Sequence, residues 1–378
     1  MRIFIKIIYL SLILLIGLPS VFFGYRYMVN ETQTYPYPYK VPSPSVEEIQ
    51  QAENADIILI GDSSTSLLKD ALQDLPSKVS VHLKNPPIIY DWGRPGETGA
   101  QTLKKLSALK SFPSLFIYHG GRDPFEKLKF NLIEFNHLKK NLDKTKDETL
   151  MTLIMAYPPL SRLIYAPVKK ISIQSENNTG YPDSLPPEAV LQIMEISYQL
   201  YKMETAELFT FLKEKDASLW VIPQALNLTL KPKRVCENTR DSESEKILKK
   251  VQELAEQRRS KEAFNMANDL IKTSKGNARA YYIIGELLLS MGNNSEAKKA
   301  FYQSMIYDCG LERSNPIFLK ILMEEAEKRQ FKVIDFNRLV TNQLGHNILF
   351  INERDPQPLY YQQLSDIIKK EFLKFIKL

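Results

Sequence analysis

Residues 56–72, DIILIGDSSTSLLKDAL, set four unbroken apolar side chains, Ile57 to Ile60, against a glycine, a polar turn and then an amphipathic stretch. A run so short and so apolar fits a strand buried on both faces, followed here by a helix. Four later runs end the same way, in Gly, Pro or a small polar residue: PPIIYDWG (86–93), SLFIYHGG (114–121), SLWVIPQ (218–224) and FKVIDF (331–336). Helical patterns separate them, in AQTLKKLSAL (100–109) and over 188–214. This alternation predicts an α/β fold, an open parallel sheet flanked by helices in a three-layer, flavodoxin-like arrangement. Ligand chemistry then belongs at the carboxyl ends of the strands, in the loops 61–64, 93–98 and 120–123.

Composition sets the outer limits. The chain has 378 residues, 44% hydrophobic and 25% charged, with 14 Gly and 22 Pro, which excludes disordered, collagen-like and disulfide-miniprotein classes. Its net charge of +6 comes from charges mixed along the chain, not gathered in a basic tract, so no nucleic-acid partner is expected. Two cysteines and four histidines without paired spacing point to no metal site, and no cofactor motif is present.

Arg2 and Lys6 precede an uncharged run over 7–25. At about 1.5 Å per residue it is long enough to cross a hydrocarbon core of roughly 30 Å. It continues through Val21, Phe22 and Phe23 without a small-x-small cleavage site, so it reads as an uncleaved membrane anchor with the bulk of the chain extracytoplasmic, in a bacterial periplasm or at the cell surface. The Pro-rich segment TQTYPYPYKVPSPS (32–45) is a stiff stalk. The expected organisation is anchor 1–25, stalk 26–50, sheet domain 51–240, helical insert 241–309 and the rest of the sheet domain 310–378. A second insertion, 124–186, is apolar and broken by Pro158 and Pro159 too early to span; it reads as a helical layer, a lid or a membrane-facing surface.

Within the helical insert, ARAYYIIGELLLSMGNNSEAKKAFYQSMIY (278–307) carries the tetratricopeptide pattern at Tyr281, Ile284, Gly285, Leu288, Gly292, Ala297, Phe301 and Ser304. Ala263, Leu254 and Ala267 stand 34 positions before Ala297, Leu288 and Phe301, so a weaker repeat precedes it. The pair forms either a protein- or peptide-binding groove or a buttress for the sheet. Cys236 and Cys309 flank the insert, where a disulfide closing about 70 residues adds up to roughly 4 kcal/mol in an oxidising compartment.

The strand-end loops, taken in order, resemble the SGNH (GDSL-type) hydrolases. Gly61-Asp62-Ser63 matches the first block, GRPGET (93–98) matches the second through Gly96 and Thr98, and Gly120-Gly121-Arg122-Asp123 stands where the family has its oxyanion-donating Asn block. FINERDPQPLYYQQLSDII (350–368) aligns with the final Asp-x-x-His block, placing Asn352 at the Asp and Asp355 at the His. The segments 218–228 and 313–336 are similar to an extracytoplasmic, repeat-containing subgroup.

The resemblance implies Ser63 as nucleophile, Gly96 in the oxyanion hole and action on acyl groups of envelope carbohydrate, beside a membrane-bound O-acyltransferase or another protein held by the repeats. Three of the four defining residue types differ here. A serine needs a base, an orienting group and oxyanion donors, and an ordinary aspartate at 355 is roughly two to three units less basic than imidazole. His119 and His346 are the candidates for a relocated base. Arg122, with Arg94 and Arg354, offers either an anion-binding site, an oxyanion donor or a plug against Asp355 or Asp123. The altered blocks therefore point to an envelope protein of reduced or lost catalysis that binds an anionic glycan or a partner protein, and alternatively to an active serine esterase or O-acyltransferase. Ser63 has a structural reason to persist as well, because serine caps helices.

Overall fold

The computed structural model describes residues 43–80, 83, 85–121, 187–233, 242–310 and 315–376, with Gly17. These residues, Gly17 apart, belong to one compact unit, 42–132 with 173–378; the other unit, 1–41 with 133–172, lies outside the described residues but for Gly17. The expected anchor over 7–25, most of the stalk, the 124–186 insertion, Arg122, Asp123 and Cys236 thus fall outside them. Among the described residues no helix is long and apolar enough to cross a membrane.

Each of the five apolar runs forms a strand: β1 (Ile57–Gly61), β2 (Ile89–Asp91), β3 (Leu115–Gly120), β4 (Leu219–Pro223) and β5 (Lys332–Val333). They pair in parallel in the order β2-β1-β3-β4-β5. The central three are buried along their whole length, as continuous apolar runs require. Alternate residues serve opposite layers. Ile58, Ile60, Phe116, Tyr118, Leu219 and Val221 face one core. Helices α1 (Val46–Glu53), α4 (Gly99–Ser107), α5 (Pro187–Glu214) and α10 (Pro316–Lys328) contribute to it. Ile57, Leu59, Leu115, Ile117, Trp220 and Ile222 face the other, with α2 (Ser64–Ala71), α3 (Leu75–Val79), α11 (Phe336–Thr341) and α12 (Pro358–Phe375). The stalk boundary expected at 50 falls inside α1, because Ser45 and Glu48 form a capping box that starts the helix at Val46.

The helical insert consists of α6 (Ser242–Glu256), α7 (Ser260–Thr273), α8 (Ala278–Ser290) and α9 (Asn294–Tyr307). Helices α7 and α9 begin and end 34 positions apart. Gly285 lets α8 approach α9, since a Cβ there would lie 2.7 Å from the Phe301 ring. The insert's core is continuous with the second core of the sheet. The chain leaving β4 is buried from Gln224 to Leu228 and lies against the insert, where the Tyr282 hydroxyl donates to the Thr229 carbonyl at 3.1 Å. A polar ladder docks α9 on α11 and the loop after it: Asn294 on His346 at 3.2 Å, Lys298 on the Asn342 side-chain Oδ1 at 3.0 Å, and Tyr302 with the Asn337 amide. Asn337 also accepts from the Leu226 N–H at 3.0 Å. Cys309, at the end of the insert, is disulfide-bonded; Cys236, the other of the chain's two cysteines, is outside the described residues.

Asn337 is 4% exposed and serves two partners on different elements. Asn337→Ala leaves a backbone donor and a tyrosine hydroxyl without their partner and is expected to cost about 1–3 kcal/mol in urea unfolding. A loss below about 0.5 kcal/mol would show that the ladder does not fasten the insert.

Candidate functional site

The strand order reverses between β1 and β3, so the crevice at their carboxyl ends is where this sheet places a ligand. Gly61, at φ +134°, closes β1 against β3; a Cβ there would lie 2.0 Å from the His119 carbonyl oxygen, which makes glycine obligatory. The Asp62 carboxylate then accepts from the Ser64 N–H at 2.9 Å, from the Ser64 hydroxyl at 2.7 Å and from the Gln224 side-chain amide. The same amide donates to the Ser64 hydroxyl.

Ser63 is exposed, with its hydroxyl making no cap bond to α2. The capping reason for a serine here is therefore not realised: Ser63 itself has helical dihedrals, φ −58° and ψ −17°, and Asp62 serves the first N–H instead. Gln224 is the residue that the sequence reading passed over, although a polar side chain directly after a buried strand was a visible signal.

The second loop is built from inside. Gly93 leaves room for Thr65, whose Oγ1 lies 2.2 Å from where a Cβ would stand, and Gly96 turns at φ +60°. Thr98 and Gln101 form a capping box that starts α4, and Glu204 of α5 accepts from the Gly99 N–H at 3.0 Å. Buried Glu97 pairs with Lys105, which donates to the Trp92 carbonyl at 2.6 Å. Burial raises the Glu97 carboxyl and lowers the Lys105 ammonium, each countered by the other's charge. Arg94 turns to α1, pairing with Glu48 at 3.2 Å and donating to the Gly93 carbonyl at 2.9 Å. Gly120, the last residue of β3, leaves space for the Tyr118 hydroxyl, 3.2 Å from its Cβ position, and Gly121 just past it leaves space for Leu322 and the Tyr201 hydroxyl, 2.9 and 3.3 Å away. Burial pushes the Tyr118 and Tyr201 phenols above their ordinary range.

None of the candidate bases reaches Ser63 by a hydrogen bond among the described residues. His119 is fully buried on β3, its Nδ1 2.8 Å from the Ile222 carbonyl and its Nε2 3.3 Å from the Tyr361 hydroxyl. A carbonyl only accepts, so Nδ1 donates to it, and in the neutral ring Nε2 accepts a hydrogen bond from the Tyr361 hydroxyl. Phe336 and Tyr361 pack edge-on against the ring. His346 belongs to the ladder on α9. Asn352 and Asp355 bind each other: the Asn352 amide donates to the Asp355 carboxylate at 2.8 Å, and its oxygen accepts from the backbone N–H of Arg354 and Asp355, both at 2.7 Å. Asn227 holds this turn from below through the Asn352 carbonyl at 3.3 Å. Among the described residues no His, Cys, Asp or Glu side chains group to hold a metal ion.

No family model matches the chain, and no curated protein matches it. A solved structure to which it is similar is LAE5, an α/β hydrolase enzyme from the metagenome of Lake Arreo, Spain; the two are 10% identical, with a TM-score of 0.33, over 84% of this chain and 94% of that one.

Glu207, half-buried one turn along α5 from Glu204, is pushed up to about 7 by burial, with the Glu204 charge adding to it. The folded chain then holds a proton that the unfolded chain has released, so stability falls as pH rises from about 4.5 to about 7. Glu207→Gln is expected to flatten that slope and to stabilise the protein at pH 8 by up to about 3 kcal/mol. Denaturant unfolding at pH 5 and pH 8 checks this, and equal stability of both proteins at pH 8 would contradict it.

Proposed function

We propose that this chain is a membrane-tethered, extracytoplasmic protein related to the SGNH (GDSL-type) hydrolases that has lost ester hydrolysis and binds an anionic envelope glycan at the β1/β3 crevice. The observation that carries the reading is the closed turn of Asn352 and Asp355, at the positions of the family's Asp and His. With His119 committed to Ile222 and Tyr361, and His346 to Asn294, Ser63 keeps a nucleophile's position without a partner to take its proton. The cations that the sequence offers to such a ligand are Arg354 and Arg122, the latter outside the described residues, while Arg94 is drawn to Glu48. The uncharged run over 7–25 supplies the tether, and the tetratricopeptide-like insert serves chiefly as a buttress, because the segment after β4 already lies against it.

A second reading, an active serine esterase or O-acyltransferase working beside a membrane-bound O-acyltransferase, is favoured by the exposed and uncommitted Ser63 hydroxyl.

A fluorophosphonate probe separates the two. The wild-type protein is expected to label no more than Ser63→Ala, whereas the combined variant Arg122→Asn, Asn352→Asp, Asp355→His, which restores the residue types of this chemistry, is expected to label at Ser63. Labelling of the wild type that disappears in Ser63→Ala would establish the second reading instead.

A further inference from the structure

Gln224 stands at the end of β4, and Asp62 and Ser64 stand just past the end of β1, with β3 between the two strands. The carboxamide reaches both residues all the same, so its path crosses the carboxyl end of β3, where the Gln224 backbone N–H donates to the Gly120 carbonyl at 3.2 Å. That path lies over the crevice where the strand order reverses. Gln224 and Ser64 are each 2% exposed. Only the amino end of the carboxamide is recognised: it donates to the Asp62 carboxylate and to the Ser64 hydroxyl. Its Oε1 is buried with no hydrogen-bond partner. A buried amide kept for stability alone normally has both ends paired, because an unmet acceptor costs free energy. The acceptor pair on the Gly-Asp-Ser turn therefore selects an N–H donor while leaving the carbonyl unread.

We propose that Asp62 and Ser64 form an amide-binding subsite, filled within the chain by Gln224. The ligand that takes its place presents an amide N–H, as the acylamino group of an amino sugar does. This deepens the glycan reading and rests on it. The test below involves no hydrolysis or labelling of Ser63, so the two can fail separately.

Gln224→Ala empties the subsite, and acetamide is the free probe that reproduces the missing group. Acetamide is expected to raise the Tm of Gln224→Ala by roughly 2–4 °C over its saturable range, and that of the wild type, where it must displace Gln224, by a smaller but measurable amount, while acetate, which has no N–H, raises neither. Equal effects of acetamide and acetate, or an acetamide effect on the wild type that is absent or equal to that on the variant, would overturn the subsite. Should Gln224→Ala not fold, Gln224→Glu keeps the shape and places a second carboxylate on Asp62. Its Tm is expected to fall relative to the wild type as pH rises from 5 to 8, since two carboxylates sharing one donor cannot both ionise cheaply. A Tm that tracks the wild type over this range would also overturn the proposal.

Discussion

The close approach of β1 to β3 at Gly61 governs the arrangement of the candidate site. With no Cβ at that position, the backbone of β1 reaches the carbonyl of His119, and the next three residues turn sharply into α2. Asp62 is thereby aimed back at the first N–H of that helix and across β3 at Gln224, while Ser63 is turned to solvent. Gln224 in turn begins the segment, buried as far as Leu228, that leads through Leu226 to Thr229, and these two residues are held by Asn337 and by Tyr282 of the helical insert. One glycine thus links the geometry of the turn to the segment that fastens the insert. Charge-assisted bonds of the Asp62 kind contribute about 1.5–3 kcal/mol each, enough to hold a three-residue turn in one conformation.

Catalysis asks for more than a well-held serine. General-base assistance typically supplies about 10²–10⁴ in rate, and it requires a group within hydrogen-bond reach whose pKa lies near the working pH. Among the described residues the imidazoles of His119 and His346 have other employment, and the reason is local. His119 points from β3 into a core lined by Phe336 and Tyr361, where its two nitrogens find a carbonyl and a phenol. Asn352 organises its own turn by accepting two backbone N–H groups, and its amide then binds Asp355.

The sheet was legible because strands buried on both faces must be short apolar runs, and each of DIILI, PPIIYD, SLFIYHG, SLWVIP and FKVID became a strand in one parallel sheet. The helices over 260–307 were legible because small apolar residues at a 34-position spacing mark buried faces, and Ala263 and Ala297 are both fully buried. The site was not. Gln224 and Asp62 are 162 positions apart, and Glu204 caps α4 from 105 positions away; no local pattern encodes such pairings. Ser63 was read as a helix cap from its residue type, but its helical dihedrals exclude that role. The surroundings of His119 were illegible for a related reason: sequence gives the strand on which it lies, whereas its partners Tyr361 and Phe336 come from the far end of the chain.

The claim that Ser63 lacks a base is tested most directly by the pH dependence of short-chain aryl ester turnover, wild type against Ser63→Ala, between pH 5 and 9. The account predicts that the two rates coincide with each other and with the spontaneous reaction at every pH. A Ser63-dependent rate that rises with pH through a single ionisation would contradict it, and the pKa of that ionisation would identify the group acting as base.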